Sequence, residues 1–157
     1  MTILGIDPGA SGGIAFFSMQ RGLLSIFDMP TVEVKRGGKN KREVSAAMLN
    51  AIIGARDIDA AFVEKVGAMP GQGVTSMFSF GRSYGLAEGA LASSGVAYQR
   101  VTPQAWKKAF GFIGEGKDAT REAALERFNS PAFKPKGKGQ ALADAAYIAL
   151  WGAQNAA

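Results

Sequence analysis

The chain has 157 residues, of which 47% are hydrophobic, and its 18 Lys and Arg against 13 Asp and Glu give a net charge of +5. It contains no cysteine and no histidine, which excludes thiol nucleophiles, Cys/His zinc sites, Ser-His triads and His-dependent nucleases. The length fits one domain over residues 1–157, and the excess of basic residues favours a polyanionic partner.

Neither a signal peptide nor a membrane span is expected. The sequence passes from Met1 directly into a strand-like run, without a basic start followed by a long apolar stretch. No apolar segment reaches the roughly 18 residues that a membrane span requires. We therefore expect a soluble protein of the cytoplasm.

The first part of the chain predicts three strands, a basic loop, a helix and a fourth strand. Short apolar runs separated by Gly and polar residues favour antiparallel hairpins, and the fourth strand follows a helix, so we expect it to be parallel to an earlier strand. The strands are expected at 2–7, 13–18, 23–28 and 59–64, the loop at 34–42 and the helix from Glu43 to about Arg56.

The second part of the chain predicts a fifth strand and several helices. The helices are expected at about 74–92, 103–110, 118–128 and 140–152, the strand at 96–101 and a second basic loop at 134–139. Gly81, Gly85 and Gly89 form a stripe on the first of these helices, for which close packing on the sheet is favoured over dimerisation. The pattern predicts an α/β fold with a mixed five-stranded sheet flanked by helices.

Three carboxylates stand in apolar surroundings. Asp7 ends the first strand, Glu64 ends the fourth strand, and Asp144 lies within a helix of small apolar residues. An ionised carboxylate in such a setting is costly unless it is paired or bound to a metal. If the two strands are parallel neighbours, these carboxylates can meet at one edge of the sheet. Oxygen-only ligands suit Mg²⁺ or Mn²⁺, and two such ions can activate water and stabilise the leaving oxygen of a phosphodiester.

Each carboxylate also has a purely structural explanation. Asp7 could cap the turn that begins with Pro8, since Asp is common at turn starts. Glu64 could pair with a nearby basic side chain. Asp144 could lie near a helix start and interact with the helix dipole. The three residues taken together favour a metal site over three unrelated roles.

These residues resemble the RuvC-type Holliday junction resolvases of the RNase H-like nuclease superfamily. Residues Gly5–Gly9 (Gly-Ile-Asp-Pro-Gly), Glu64–Val66 and Ala143–Ala145 occur in the order found in that family, and residues Lys107–Lys117 are similar to the region before its basic helix. The resemblance implies an RNase H-like fold, a homodimer, magnesium dependence and paired nicking of four-way junctions and related branched DNA. It also implies that the three carboxylates are the catalytic metal ligands.

One position departs from the family pattern. Ala141 stands where the family places a fourth ligand, three residues before the helix aspartate. Gln140, one turn before Asp144, could supply an oxygen in its place and is included among the expected metal ligands. Substrate phosphates and water can complete the coordination of Mg²⁺.

Basic residues form the predicted DNA-binding surface, although solvated loops would have the same composition. Flexible, Gly-spaced cations suit contacts with phosphates, which set affinity rather than sequence preference. Three lysines resemble DNA-contacting lysines of the family: Lys107, Lys108 and Lys117. The other candidates lie in the two basic loops: Lys35, Arg36, Lys39, Lys41 and Arg42 in the first, and Lys134, Lys136 and Lys138 in the second. Met69 and Phe78 could wedge against an unstacked base, with core packing favoured for Phe78.

Two other classes of function remain open. The first is a non-catalytic module that binds branched DNA without cutting it, which the alanine at position 141 supports. The second is an actin-like ATPase or sugar kinase, because Asp7-Pro8-Gly9 resembles the phosphate-holding turn with which those proteins begin. The chain is short for their two domains and has no second turn of that kind. A nuclease acting on flaps, forks or RNA–DNA hybrids is a variant of the main hypothesis.

Overall fold

The computed structural model of the chain describes residues 1–156, and the side chains of all of these except Leu24. The strands are β1 (Thr2–Asp7), β2 (Gly13–Ser18), β3 (Gly22–Asp28), β4 (Thr31–Arg36), β5 (Lys39–Val44), β6 (Ala60–Glu64) and β7 (Tyr98–Val101). The helices are α1 (Ala46–Gly54), α2 (Val74–Ser93), α3 (Pro103–Ala109), α4 (Ala119–Phe128) and α5 (Lys138–Asn155), with a 3₁₀ turn at Pro131–Phe133. In the described part of the chain, no helix is long and apolar enough to cross a membrane.

The main sheet has five strands in the order β3-β2-β1-β6-β7. The pairs β1–β2 and β2–β3 are antiparallel, whereas β6 runs parallel to both β1 and β7. The predicted mixed sheet is therefore confirmed, as is the parallel pairing of the strand that ends at Glu64. Because β1 and β6 pair with Ile6 opposite Val63, their carboxyl ends lie side by side.

Helices cover both faces of this sheet, and β1 contributes to both cores by the alternation of its side chains. Leu4 and Ile6 pack in a cluster with residues of α1 and α2, and Ile3 packs in a second cluster with residues of α4 and α5. A methyl group at Gly5 would collide with the backbone of Ala145 and Ala149. The absence of a side chain at this position lets α5 lie directly on the sheet, close to the carboxyl end of β1.

The prediction of a basic loop at 34–42 was wrong, because these residues form part of the antiparallel hairpin β4–β5. Gly37 and Gly38 turn the hairpin with φ of +56° and +73°, the left-handed values that a two-residue hairpin turn requires. Glu43 and Val44 belong to β5, so α1 begins at Ala46 rather than at Glu43. Ser45 caps this helix, accepting the backbone N–H of Met48.

Two predictions about α2 were also wrong. The stripe of Gly81, Gly85 and Gly89 does not pack on the sheet, because a methyl group added at any of the three would meet no other atom within 4 Å. The buried side of α2 carries Ser83, Ala87, Ala90 and Leu91 instead. Phe78, expected in the core, is 68% exposed. These residues lie on the side of α2 that faces away from the sheet.

The last helix begins earlier than predicted. Helix α5 starts at Lys138 and ends at Asn155, so the second basic loop is shorter than the predicted 134–139. Asp144 lies almost two turns into the helix. Since the helix dipole acts mainly within the first turn, it does not account for an aspartate at this position.

Candidate active site

The structure brings the three predicted carboxylates together at one edge of the sheet. Asp7 and Glu64 end the adjacent parallel strands β1 and β6. Asp144 reaches the same edge from α5, which packs on β1 and β2. The negative charges of both Glu64 and Asp144 act on Asp7, so the three groups form one electrostatic cluster.

Burial and mutual repulsion make these carboxylates weak acids. Burial, followed by the charges of Glu64 and Asp144, raises the pKa of Asp7 from 3.8 to about 8. Burial and the charge of Glu64 raise the pKa of Asp144 from 3.8 to about 7. Burial also raises the pKa of Glu64. At neutral pH a cation that approaches the cluster therefore stabilises the ionised form of these carboxylates.

Asp7 also accepts a hydrogen bond from the backbone N–H of Gly9, which lowers the pKa of Asp7 against the larger effect of burial. The turn-capping interaction expected as an alternative is thus present. It does not compete with membership of the cluster, because one carboxylate offers two oxygens and about four lone-pair positions.

Two residues of α3, Trp106 and Lys107, interact with the carboxylate cluster. The Trp106 side chain is fully buried, and its Nε1–H donates to Oε1 of Glu64 at 2.9 Å. The positive charge of Lys107 lowers the pKa values of Asp7, Glu64 and Asp144. Lys107 was predicted to contact DNA, but Trp106 was not predicted to belong to the site. The one available signal was that a buried indole N–H needs an acceptor.

Gln140 contacts Asp144 across one turn of α5. Its Nε2 donates to Oδ1 of Asp144 at 2.8 Å, while its Oε1 is buried and has no hydrogen-bond partner. An ionised carboxylate only accepts hydrogen bonds, so the amide nitrogen must face Asp144 and the amide oxygen must point elsewhere. A buried oxygen without a partner is available to coordinate a cation or to accept a hydrogen bond.

The donor chemistry of the site fits a hard divalent cation. It offers carboxylate and amide oxygens, and a cation would relieve the repulsion that raises the pKa values. Within residues 1–156, however, no group of three or more Asp, Glu, His or Cys side chains is arranged closely enough to hold a metal ion by itself. The carboxylates therefore form an open cluster rather than a closed cage.

Cavities flank the cluster on two sides. One, of about 520 Å³, borders Asp7 and is lined by three of the predicted DNA-binding residues: Arg36, Lys41 and Arg42. The other, of about 290 Å³, borders Asp144 and Gln140 and is lined by two more: Lys107 and Lys117. Basic side chains thus lie on both sides of the carboxylates.

The remaining predicted DNA-binding residues are exposed and line neither cavity. Lys108 lies at the end of α3, and Lys35 and Lys39 lie on the β4–β5 hairpin. Lys134, Lys136 and Lys138 are also exposed. Lys138 lies 3.7 Å from a carboxylate oxygen of Asp28.

Replacing Trp106 should affect the site through Glu64. We expect Trp106→Phe to keep the packing but to lower the free energy of unfolding by about 1–3 kcal/mol, because Oε1 of Glu64 loses its buried donor. Any metal-dependent activity should fall by about 10–100-fold, as is usual when a residue that orients a ligand is changed. Thermal unfolding and single-turnover kinetics measure both effects. Unchanged activity at reduced stability would limit Trp106 to a packing role.

The sheet order, the helices on both faces and the carboxylates at the β1–β6 edge define an RNase H-like fold of the RuvC type, which confirms the expected fold class. The structure of Thermus thermophilus RuvC in complex with Holliday junction substrate is similar with a TM-score of 0.66 and 21% identity, covering 99% of this chain and 94% of that chain. A second structure of Thermus thermophilus RuvC is similar with a TM-score of 0.62 and 18% identity, and the match covers 99% of this chain and 95% of that chain. Neither a protein-family model nor a curated protein matches the chain. At this identity the likeness establishes the fold alone, and function depends on the residues of the site.

Proposed function

We propose that this protein is a metal-dependent, structure-selective endonuclease that resolves Holliday junctions and related branched DNA by paired nicking. The observation that carries the proposal is the cluster of Asp7, Glu64 and Asp144, whose pKa values are all raised. Weakly acidic, half-buried carboxylates that meet at the ends of neighbouring strands are typical of sites that perform chemistry. The similar Thermus structure that contains a Holliday junction supports the choice of substrate.

The three carboxylates and Gln140 would hold Mg²⁺, with Mn²⁺ as a substitute. The metal would supply the charge that activates water and stabilises the leaving oxygen of the phosphodiester. Trp106 and Gln140 orient the carboxylates by donating hydrogen bonds to Glu64 and Asp144. Lys107 adds positive charge at the place where a DNA phosphate must approach three negative groups.

The basic residues on both sides of the cluster would hold the DNA backbone. Lys117 belongs to one cavity and Arg42 to the other, so a strand that crosses the carboxylates meets positive charge before and after them. Lys35 and Lys39, exposed on the hairpin, extend the basic surface outward. Contacts of this kind would hold the strand without reading its sequence.

A homodimer is the proposed assembly, with α2 at the interface. The exposed side of α2 carries Val74 and Phe78 near its start, followed by the stripe of Gly81, Gly85 and Gly89. These positions recur every three or four residues and therefore share one side of the helix. A large apolar pair beside a smooth stripe suits close contact with a second helix. The two active sites of a homodimer would also account for the two nicks in one junction.

Gly85→Glu tests this assembly. We expect it to produce a monomer, because a charged side chain would occupy the stripe where the second helix packs. Gly54→Glu is the matched control, since Gly54 is also helical and also has open space around it. Light scattering coupled to size-exclusion chromatography gives the mass of each variant. A wild-type protein that is already monomeric would contradict the dimer directly.

A second candidate function is a module that binds branched DNA without cutting it. Ala141 supplies no oxygen ligand where the RuvC family places one, and the three carboxylates do not close around a metal. A site of this kind could still bind phosphates through its basic residues. Cleavage is the property that distinguishes the two candidates.

The experiment that tests the proposal is a cleavage assay on labelled four-way junctions, flaps and linear duplex in Mg²⁺, Mn²⁺ and EDTA. We expect metal-dependent nicking of the junction and little cutting of duplex. Equal cutting of junction and flap would replace the resolvase assignment by a broader branch nuclease. Tight junction binding without cutting in either metal would favour the binding module.

A further inference from the structure

The β4–β5 hairpin, residues Thr31–Val44, forms a two-stranded sheet separate from the main sheet. Val44 is its one contribution to the two hydrophobic clusters, and a hairpin that buries so little is marginally stable by itself. The segment carries five cations and two acids, so it supplies +3 of the net charge of +5. This composition suits a charged partner outside the protein rather than a role in the core.

Polar contacts hold the hairpin in one orientation against α2. The Glu43 carboxylate, which is 18% exposed, accepts from Arg36 of β4 at 2.6 Å and from Arg82 of α2 at 3.2 Å. The Nε of Arg42 donates to Oγ1 of Thr31 at 2.9 Å, across the two strands. A charged surface that is already ordered loses little conformational freedom when it binds a ligand.

The two lysines that flank the turn of the hairpin remain available to a ligand. Lys35 and Lys39 are exposed, and neither forms an ion pair with another described residue. Lys39 pairs in register with Arg36, the neighbour of Lys35. Because successive side chains of a strand point to opposite faces, Lys35 and Lys39 lie on opposite faces of the ribbon.

The shape of the ribbon matches one groove of duplex DNA. Its two strands lie about 4.8 Å apart, and the major groove, about 12 Å wide, admits a two-stranded ribbon, whereas the minor groove, about 6 Å wide, does not. The major groove is bordered by the phosphates of both DNA strands, so a cation on each face of the ribbon can reach one strand each. Negative charge on both walls of the groove complements this arrangement.

The position of the hairpin places such a duplex close to the carboxylates. Arg36 and Lys41 line the cavity that Asp7 borders. A strand of six residues is about 20 Å long, and DNA rises about 3.4 Å per base pair. The ribbon therefore reaches DNA within about one helical turn, roughly ten base pairs, of the carboxylate cluster.

We propose that the β4–β5 hairpin lies in the major groove of one duplex arm, with Lys35 and Lys39 on the phosphates of its two strands. The hairpin binds paired DNA, while the carboxylates act on the strand at the end of that arm. The substrate consequently needs about ten base pairs of paired DNA next to the branch point. That this duplex is a junction arm rests on the proposed function.

The test measures junction binding in EDTA, so that no cutting is needed. Four-way junctions carry a patch of three uncharged methylphosphonates at successive positions along each arm in turn. Lys35→Gln/Lys39→Gln removes the free charges of the hairpin. Arg21→Gln/Arg127→Gln removes as much charge elsewhere and is the control, with Arg21 in the turn between β2 and β3 and Arg127 near the end of α4.

We expect the hairpin variant to bind the intact junction about three- to tenfold more weakly than the control, the effect of losing two exposed ion pairs. The slope of log affinity against log salt concentration should fall by roughly 1.8, because two phosphate contacts are gone. One patch within ten base pairs of the branch point should weaken the wild type and the control but should weaken the hairpin variant no further. Lys35→Arg/Lys39→Arg should bind as the wild type does.

A hairpin variant that binds like the control would overturn the assignment. So would equal losses by the hairpin variant and the wild type at every patch, or wild-type sensitivity confined to the branch point itself. Failure to nick in Mg²⁺ would contradict the nuclease and leave the hairpin assignment standing.

Discussion

Asp7→Asn should lower the rate of junction nicking by about a thousandfold or more while the protein still binds the junction. The amide keeps the shape of the side chain but removes the charge that a metal ion needs. Changing a residue that only orients a ligand costs about 10–100-fold, so changing the ligand itself should cost more. Single-turnover cleavage and gel-shift titration measure the two properties separately.

Asp57→Asn is the matched control for this substitution. Asp57 is exposed and lies in the turn before β6, away from the strand end that carries Glu64. Its replacement should leave nicking unchanged. Binding by Asp7→Asn should equal or exceed that of the wild type, because one negative charge near the DNA phosphate is gone. Nicking by Asp7→Asn at the wild-type rate would remove Asp7 from the mechanism.

The stability of the metal-free protein should fall as the pH rises from about 4 to about 8. The pKa of Asp7 is 3.8 in an ordinary setting and about 8 in the fold, and that of Asp144 rises to about 7. Between these values the folded protein holds more protons than the unfolded chain, so raising the pH favours unfolding. The stabilising contribution is fully present below pH 4 and is lost as the pH passes the folded-state values.

Urea titrations in EDTA across this pH range measure the effect. Because one pKa unit corresponds to about 1.4 kcal/mol and the three groups titrate together, we expect Asp7→Asn to raise the free energy of unfolding by roughly 1–3 kcal/mol at pH 8. The same substitution should change little at pH 4, where Asp7 of the folded wild type is protonated and therefore as uncharged as the asparagine that replaces it. Mg²⁺ should stabilise the wild type at pH 8 and Asp7→Asn much less. A wild-type stability that increases over this range would contradict the raised pKa values of the carboxylate cluster.

The central sheet could be predicted because its strands are short apolar runs with Gly between them. The same reasoning located the cluster, since an acid at the end of each of two parallel neighbours must lie at one edge. Asp144 joined them because a helix of small residues can lie close to the sheet. Gly5 has the same effect on the strand side, where a methyl group would collide with α5.

Other features depend on contacts that no local pattern reveals. The β4–β5 hairpin is built largely of exposed charged residues, so it lacks the apolar alternation that marks a half-buried strand. The stripe of Gly81 and Gly85 looks the same whether it faces the sheet or solvent. The pairing of Trp106 with Glu64 joins residues that are 42 positions apart. The cavity beside Asp7 requires the hairpin and α2 to be placed together.

The most direct test of the proposed metal-dependent nuclease is to map the nicks on a four-way junction labelled on two opposing strands. The wild-type protein is used in Mg²⁺ and in EDTA. We expect nicks at symmetric positions on both strands in Mg²⁺ and none in EDTA. Symmetric cutting would connect the carboxylate cluster, the metal and the proposed dimer in a single result. Cutting that persists in EDTA, or no cutting in either Mg²⁺ or Mn²⁺ despite tight binding, would contradict the proposed nuclease.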